Sequence, residues 1–337
     1  MSREQRIKLI KEIEEARQSR VLCYLTGDRR GRETRIGSDV FSFLYEHLVQ
    51  IGPVENIDLF LYSTGGATMA GFGIVNLIRE FCKKLSVLIP FKAHSAATLI
   101  ALGADEIVMT RLGQLSPVDP SVTSPLNPSM RGPQDSRTLI PVSVEDVIGY
   151  LDLAKKEVKL EDEAHLAQVF QQLSAKVHPL ALGSVYRARE QIGMLARNLL
   201  SLHIDIQREE EKIERIISIL TKERYSHDYI IGRREAKDVI GLRVIDVPSS
   251  IEEKMSSLYS LYESAMELNT PFSHEAFLGK TDFKDGNLYR AFIESVSVTH
   301  VFRSREEIKR IKVQQPGVPI QEGIQERKIS EGWTKIS

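Results

Sequence analysis

The sequence predicts an α/β fold, a parallel sheet covered by helices, and three observations predict it. Short apolar strands alternate with helical stretches from about residue 20 to 110. The helical stretches carry their apolar residues on one face. Two of the strand-to-helix junctions are built from glycine and other small residues. That rhythm is the pattern of a sheet whose crossovers are helices.

Taken in order, residues 3–18 set Ile7, Ile10, Ile13 and Ala16 on one side among charges, which predicts a helix. Val21–Leu25 reads as a strand and residues 28–33 as a polar loop. Ser38 is placed to cap a helix over roughly 39–51. Ile57–Tyr62 is a strand, followed by Ser63-Thr64-Gly65-Gly66 and a helix with Ile74, Leu77, Ile78 and Phe81 on one face. Leu85–Ile89 is a second strand, residues from about 95 to 103 a short helix, and Glu106–Met109 a third strand. In such sheets ligands bind where strands end and helices begin.

Residues 117–141 hold six prolines and read as a long surface loop, a lid or an oligomer contact. Residues 144–176 and 182–222 read as helical, the second very long, with Glu209–Glu211 on a solvent face. Lys254–Glu267 reads as a helix and Phe292–Val298 alternates like a strand. The tail from about 314 to 337, with Pro316, Gly317, Pro319, Gly323 and Gly332, is expected to be extended or loosely held. The resulting division is an N-terminal helix over 1–18, a core over 19–247 and a small C-terminal extension over 248–337.

Forty-five basic residues stand against forty-six acidic ones in 337, so no positive field is available for a polyphosphate backbone. Nucleic acid is therefore not an expected partner. Cys23 and Cys82 have no CxxC or Cys/His spacing and read as reduced core thiols. No HExxH, Walker A or Cys/His metal pattern occurs, so no metal, nucleotide or other cofactor is expected. The charged N-terminus lacks an apolar stretch of signal-peptide length, and no stretch reaches the roughly 20 apolar residues of a membrane span. The expectation is a soluble, cytoplasmic protein.

Two turns carry chemistry. In Tyr62-Ser63-Thr64-Gly65-Gly66-Ala67 the paired glycines permit a tight turn and leave amide N–H groups uncovered. Such amides can hold a developing oxyanion, although Gly-Gly turns also occur for structural reasons alone. In Ala93-His94-Ser95-Ala96-Ala97 a serine stands between a buried strand and an apolar helix. It is either a nucleophile at that junction or merely the helix N-cap.

Together the two turns resemble a known family. Ser63-Thr64-Gly65-Gly66 resembles the oxyanion-side glycine turn of the Clp protease proteolytic subunit. Ala93 through Ile107 is similar to the nucleophile helix of that subunit and of signal peptide peptidase A. Gly113–Pro120 falls where that superfamily has its next core strand, and Thr221 and Tyr225 with Arg234-Glu235-Ala236-Lys237 and Gly241-Leu242 resemble a later Clp segment. The match spans roughly 20–245 and is similar to the Clp-fold serine dehydrogenase proteinase family, related to the signal peptide peptidase A-like (S49) peptidases. The resemblance implies a Clp protease/crotonase-like fold, with Ser95 as nucleophile and the N–H groups of Gly66 and Ala96 as the oxyanion hole. It also implies peptide substrates and a homo-oligomer; any unfoldase partner is undefined.

The pattern departs from the Clp triad. Leu115–Asp119 has no histidine where the family places one, and Leu220 stands at the aspartate position. A serine requires a base. His178, in an apolar stretch at the start of a long helix, is the candidate taken forward. Lys155 and Lys156 would serve a Ser-Lys dyad, and His227 and Asp119 are also in view; His94, next to Ser95, would have to fold back over its own turn. Two other readings stay open: a crotonase-type acyl-CoA enzyme, and an assembly protein that kept the fold without the base.

Overall fold

The computed structural model describes residues 3–118, 121–122, 124–131, 137–221, 228–313 and 321–336. The chain divides into two compact units, one formed by residues 1–114 and 243–337 and the other by 115–242.

The first unit begins with α1 (Arg3–Arg17), β1 (Arg20–Thr26), α2 (Phe41–Ile51) and β2 (Val54–Tyr62). It continues with α3 (Thr68–Arg79), β3 (Cys82–Ile89), β4 (Lys92–Ala93), α4 (Ala96–Leu102) and β5 (Glu106–Met109). Strands β1, β2, β3 and β5 are parallel neighbours. Leu22, Leu59, Val87 and Ile107 stand in register across all four and are buried. Such runs, apolar on both faces, are what a sheet covered by helices demands. Ser38 does not cap: a 3-10 turn at Ser38–Val40 precedes α2, and no side-chain cap bond forms there.

The second unit starts near β6 (Gln114–Leu115). The proline-rich stretch is not plain loop, because β7 (Ser121–Val122) pairs with β10 (Val142–Ser143), and β8 (Ser129–Arg131) with β9 (Arg137–Leu139). Four helices follow: α5 (Val144–Asp152), α6 (Glu163–Lys176), α7 (Pro179–Leu200) and α8 (Ile206–Thr221). The long helix expected over 182–222 is thus two helices. The chain breaks at Ser201–Asp205, and Glu209 is non-helical inside α8. α7 and α8 pack on each other, and Leu195, Leu199, Ile213 and Ile217 on them are buried. Burying two stripes against one another requires this turn back. The unit ends with β11 (Ile231–Gly232) and a π-turn over Glu235–Ile240.

The chain then rejoins the first unit. α9 (Ser249–Met266) and α10 (His274–Leu278) lead to three long strands, β12 (Phe283–Glu294), β13 (Thr299–Val313) and β14 (Gln321–Ile336). The sheet order is β14-β13-β12-β1-β2-β3-β5. The segment read as a small extension therefore supplies three of the seven strands, antiparallel and joined at β1. Of the two outcomes expected for the tail, its described part is extended rather than loose: β14 pairs with β13 from Gln321 to Ile336, and residues 314–320 lie outside the described residues. Val296 and Ser297 lie in the β12–β13 turn rather than in a strand. α1 and α9 cover one face, with Ile10, Ile13, Met255, Leu258 and Tyr262 packed on Cys23, Phe60 and Phe292. Inside this layer Arg6 and Glu294 form a buried pair at 2.6 Å, and Tyr262 and Thr299 also donate to Glu294. Every lone pair of that carboxylate is engaged, which is the condition for burying an ion pair.

Candidate active site

β2 leaves the sheet at Tyr62 and turns through Ser63–Ala67 into α3. Backbone bonds hold the turn on both flanks. Toward β4, Ser63 N donates to Lys92 O (2.9 Å) and His94 N to Ser63 O (3.0 Å). On the far flank Ile36 N donates to Gly65 O and Ala67 N to Ile36 O, both at 2.9 Å. Beneath the turn, Ser63 Oγ accepts from Gly65 N (3.0 Å) and from Thr26 Oγ1 (2.7 Å), and both hydroxyl residues are buried.

The two glycines are required here. Gly65 has φ +104° and Gly66 φ +151°. A Cβ on Gly66 would strike the Ile36 backbone, and one on Gly65 would lie 2.7 Å from Ser95 Cβ. Only bare backbone fits between Ile36 and Ser95. Among the described residues the Gly66 N–H has no acceptor, because the pairing with Ile36 uses the groups on either side of it.

β4 ends at Ala93, and the chain enters α4 through His94 and Ser95. Ser95 has φ +53° and ψ −114°. An L side chain held in such a region costs about 1–3 kcal/mol and persists only where surroundings impose it. Here they do: Ala97 N donates to His94 O (2.9 Å), Thr98 Oγ1 to Ala93 O (2.8 Å), and Ser63 clasps β4. The Ser95 hydroxyl makes no cap bond to α4, so the plain N-cap role is not what fixes it. Its Cβ and Oγ lie 2.7 and 3.2 Å from where a Gly65 Cβ would be. Ser95 is 9% exposed and Ala96 is fully buried. The Ala96 N–H, at the start of α4, also has no acceptor among the described residues. A hydroxyl on a strained strand-to-helix turn, beside two uncommitted amides, can attack a carbonyl and hold the oxyanion that results.

A second polar group braces the same strand ends. Asp28 accepts from Tyr62 OH (2.6 Å) and pairs with Lys92 Nζ (2.7 Å). Burial, with Asp28 adding to it, pushes the Tyr62 phenol far above its ordinary range, so it stays protonated and donating. Among the described residues no group of three His, Cys, Asp or Glu could hold a metal ion.

The fold brings Ser95, Ala96 and the diglycine turn together. The base candidates are placed differently. His178 belongs to the second unit, where it is exposed and caps α7, its Nδ1 accepting from Leu180 N at 3.2 Å. Lys155 and Lys156 are exposed on a π-turn over Leu153–Glu157, with Lys156 paired to Asp152 at 2.8 Å. Asp119 and His227 lie outside the described residues. The contributions of Thr26 and Ile36 carry no signal in the sequence, because each acts through a partner distant along the chain; Ser63 belongs to the glycine turn, but its bond to Thr26 spans 37 residues. Both cysteines are free thiols, Cys23 buried and Cys82 half-buried.

A family model described as ClpP-like SDH-type serine proteinase matches residues 1–178, more than half of the chain. The chain belongs to that family. Two uncharacterized proteins of Methanocaldococcus jannaschii are similar to this family member, each 26% identical. One aligns over 266 residues, 77% of this chain and 78% of its own length; the other over 274 residues, 77% of each. Among solved structures, the 1510-N membrane-bound stomatin-specific protease aligns at TM-score 0.38 and 15% identity, covering 70% of this chain and 85% of that one. The ClpP protease catalytic domain from Plasmodium falciparum aligns at TM-score 0.33 and 13% identity, covering 73% and 93%. The Clp-protease-like α/β fold thus rests on the family match and on the helix-covered parallel strands β1, β2, β3 and β5. No described helix is long and apolar enough to cross a membrane.

Proposed function

We propose that this ClpP-like proteinase is a serine peptidase acting through an acyl-enzyme at Ser95. Ser95 Oγ attacks the peptide carbonyl carbon, its proton passes to a base, and the carbonyl oxygen becomes an oxyanion held by Gly66 N–H and Ala96 N–H. Collapse expels the amine, which takes the proton, and leaves an ester that water then hydrolyses. One observation carries the reading: the strained Ser95 lies against Gly65, with the uncommitted Gly66 amide next along the turn.

His178 is the base candidate carried over from the sequence. While its Nδ1 accepts from Leu180 N at the α7 cap, the neutral ring carries its proton on Nε2, so His178 can serve as base only when that cap bond opens and Nδ1 takes the proton. The experiment is fluorophosphonate labelling of the intact protein with the adduct mapped by peptide mass. A single adduct on Ser95 is expected, and its absence refutes the acyl-enzyme. His178→Ala is expected to slow labelling at pH 7 about 100-fold or more, the usual scale of general-base assistance. Unchanged labelling moves the base elsewhere and leaves the Ser95 assignment standing.

A further inference from the structure

A cavity of about 380 Å³ opens in the first unit where the first turn of α1 meets the end of α9 and the strands β12 and β14. None of its lining residues belongs to the Ser95 junction or to the diglycine turn. One side is apolar, built from Ala265 and Met266 at the end of α9, Leu288 and Phe292 on β12, and Ile336 at the end of β14. Apolar walls with a few convergent polar groups are the usual form of a small-molecule site.

The charges around the cavity do not balance. Three guanidiniums line it, Arg3, Arg6 and Arg29, against one carboxylate, Glu267. Arg29 takes that carboxylate, at 2.6 Å. Arg6 gives its Nε (2.6 Å) and Nη2 (3.0 Å) to the buried Glu294, which Tyr262 and Thr299 also fill. The Arg6 guanidinium stands over the Phe292 and Tyr262 rings, 5.0 and 5.2 Å from their centres, so it is fixed as a plate; its Nη1 makes no bond. Arg3 has a neutral partner alone. Its Nε donates to Thr299 Oγ1 (2.8 Å), its Nη groups make no bond, and among the described residues no carboxylate pairs with it. Both Arg3 and Arg6 stand in the first turn of α1, where the helix macrodipole already favours a negative group. An anion arriving here meets uncommitted guanidinium N–H groups and the positive end of a helix together.

We propose that this cavity binds a small monocarboxylate with an apolar body, its carboxylate on Arg3 and Arg6 Nη1 and its body on Met266, Leu288 and Phe292. Charge-assisted bonds to guanidinium hold the head, and burial of the apolar wall holds the rest. An inorganic anion would leave that wall uncovered, and a neutral lipid would leave Arg3 without a counterion. The claim is independent of the acyl-enzyme reading, and its test does not use activity. Isothermal titration calorimetry of the full chain with decanoate is expected to show one saturable site. Decanol, which lacks the charge, and acetate, which lacks the body, are expected to bind at least tenfold more weakly. Arg3→Gln should weaken decanoate about tenfold, the scale of one hydrogen bond to a charged group. Ala265→Trp, which fills the apolar side, should abolish binding with circular dichroism unchanged. Arg305→Gln, at an exposed pair with Asp285 outside the cavity, should leave it as in wild type. Absence of saturable decanoate binding, equal affinity for decanol, or affinity unchanged by Arg3→Gln overturns the proposal; the last would place the carboxylate elsewhere, the Ser95 turn included.

Discussion

Two serines in the first unit look alike by one criterion and differ by every other. Ser295 has an imidazole in hydrogen-bond contact: its Oγ lies 2.8 Å from His47 Nδ1, and His47 Nε2 lies 3.0 Å from His300 Nδ1. Taken as a pair it is the arrangement sought for a nucleophile and base. But Ser295 is 2% exposed, His47 is fully buried, and the imidazole's second nitrogen is committed to His300. Burial, with the neighbouring His300 adding to it, pulls the His47 pKa down to about 3. That cluster is a satisfied core network joining α2 to the β12–β13 turn. Ser95 instead sits on a strained turn beside the Gly66 and Ala96 amides, which have no acceptor among the described residues. Proximity of serine and histidine does not by itself define a candidate site; backbone strain beside uncommitted donors is the stronger mark.

The largest effect separates the two serines outright. Ser95→Ala should abolish the fluorophosphonate adduct and lower any peptidase activity by about 10³-fold or more, while Ser295→Ala labels at the wild-type rate. Labelling that moved to Ser295 would invert the comparison. Next comes Gly65→Ala. The added Cβ meets Ser95 Cβ at 2.7 Å and the φ of +104° strains any side chain. A labelling rate about 100-fold lower is expected, the scale of losing one oxyanion donor; a rate within threefold of wild type would show that the turn tolerates displacement.

Ser63→Ala sharpens the same point from beneath. It removes the acceptor of Gly65 N–H, and leaving a buried donor unpaired costs about 1–3 kcal/mol. The maximal labelling rate should fall about tenfold with the probe's half-saturating concentration unchanged, and Thr26→Val should follow it more weakly because Ser63 keeps its bond to Gly65. Equal loss in rate and in probe affinity would instead indicate general collapse of the site.

The smallest effect belongs to the histidine network. His47 and His300 both have pKa values lowered by burial, while the unfolded chain titrates near 6.5. Between about pH 6.5 and 4.5 the unfolded state binds more protons, so stability falls as pH falls, by at most about 1.4 kcal/mol per pH unit per histidine. Ser295, Glu46 and Lys335 are the groups that face the pair, Glu46 opposing the shift and Lys335 reinforcing it. His47→Gln should flatten the fall in Tm over that window. A wild-type Tm constant from pH 6.5 to 5 would show that the imidazoles are not held neutral.

Much of the site was legible before any fold was known. Gly65-Gly66 and Ser95 are marked by residue type, because only glycine fits those backbone angles and the chain places a serine at the next junction. Thr26 and Ser63 were not legible. They are joined by a hydrogen bond across 37 residues, which neither hydroxyl signals in the sequence. Of the C-terminal strands only the end of β12, at Phe292–Glu294, was read as a strand. Glycines and prolines in a polar tail signal looseness locally, whereas β14 is fixed by its register with β13, a non-local condition. The long helix failed for a related reason, since periodicity continues through Ser201–Asp205 while burial of both stripes requires a reversal there.

The sequence by itself determined the alternation of buried strands and striped helices, and it determined which residues can turn tightly and carry a hydroxyl at a strand end. Those are local properties, set by side-chain periodicity and allowed backbone angles. Only the tertiary structure decided that Ser95 takes a strained conformation against Gly65, that the Gly66 and Ala96 amides find no acceptor among the described residues, and that three C-terminal strands complete the sheet. Each of those depends on segments distant in the chain meeting at bonding distance, which composition and spacing do not encode.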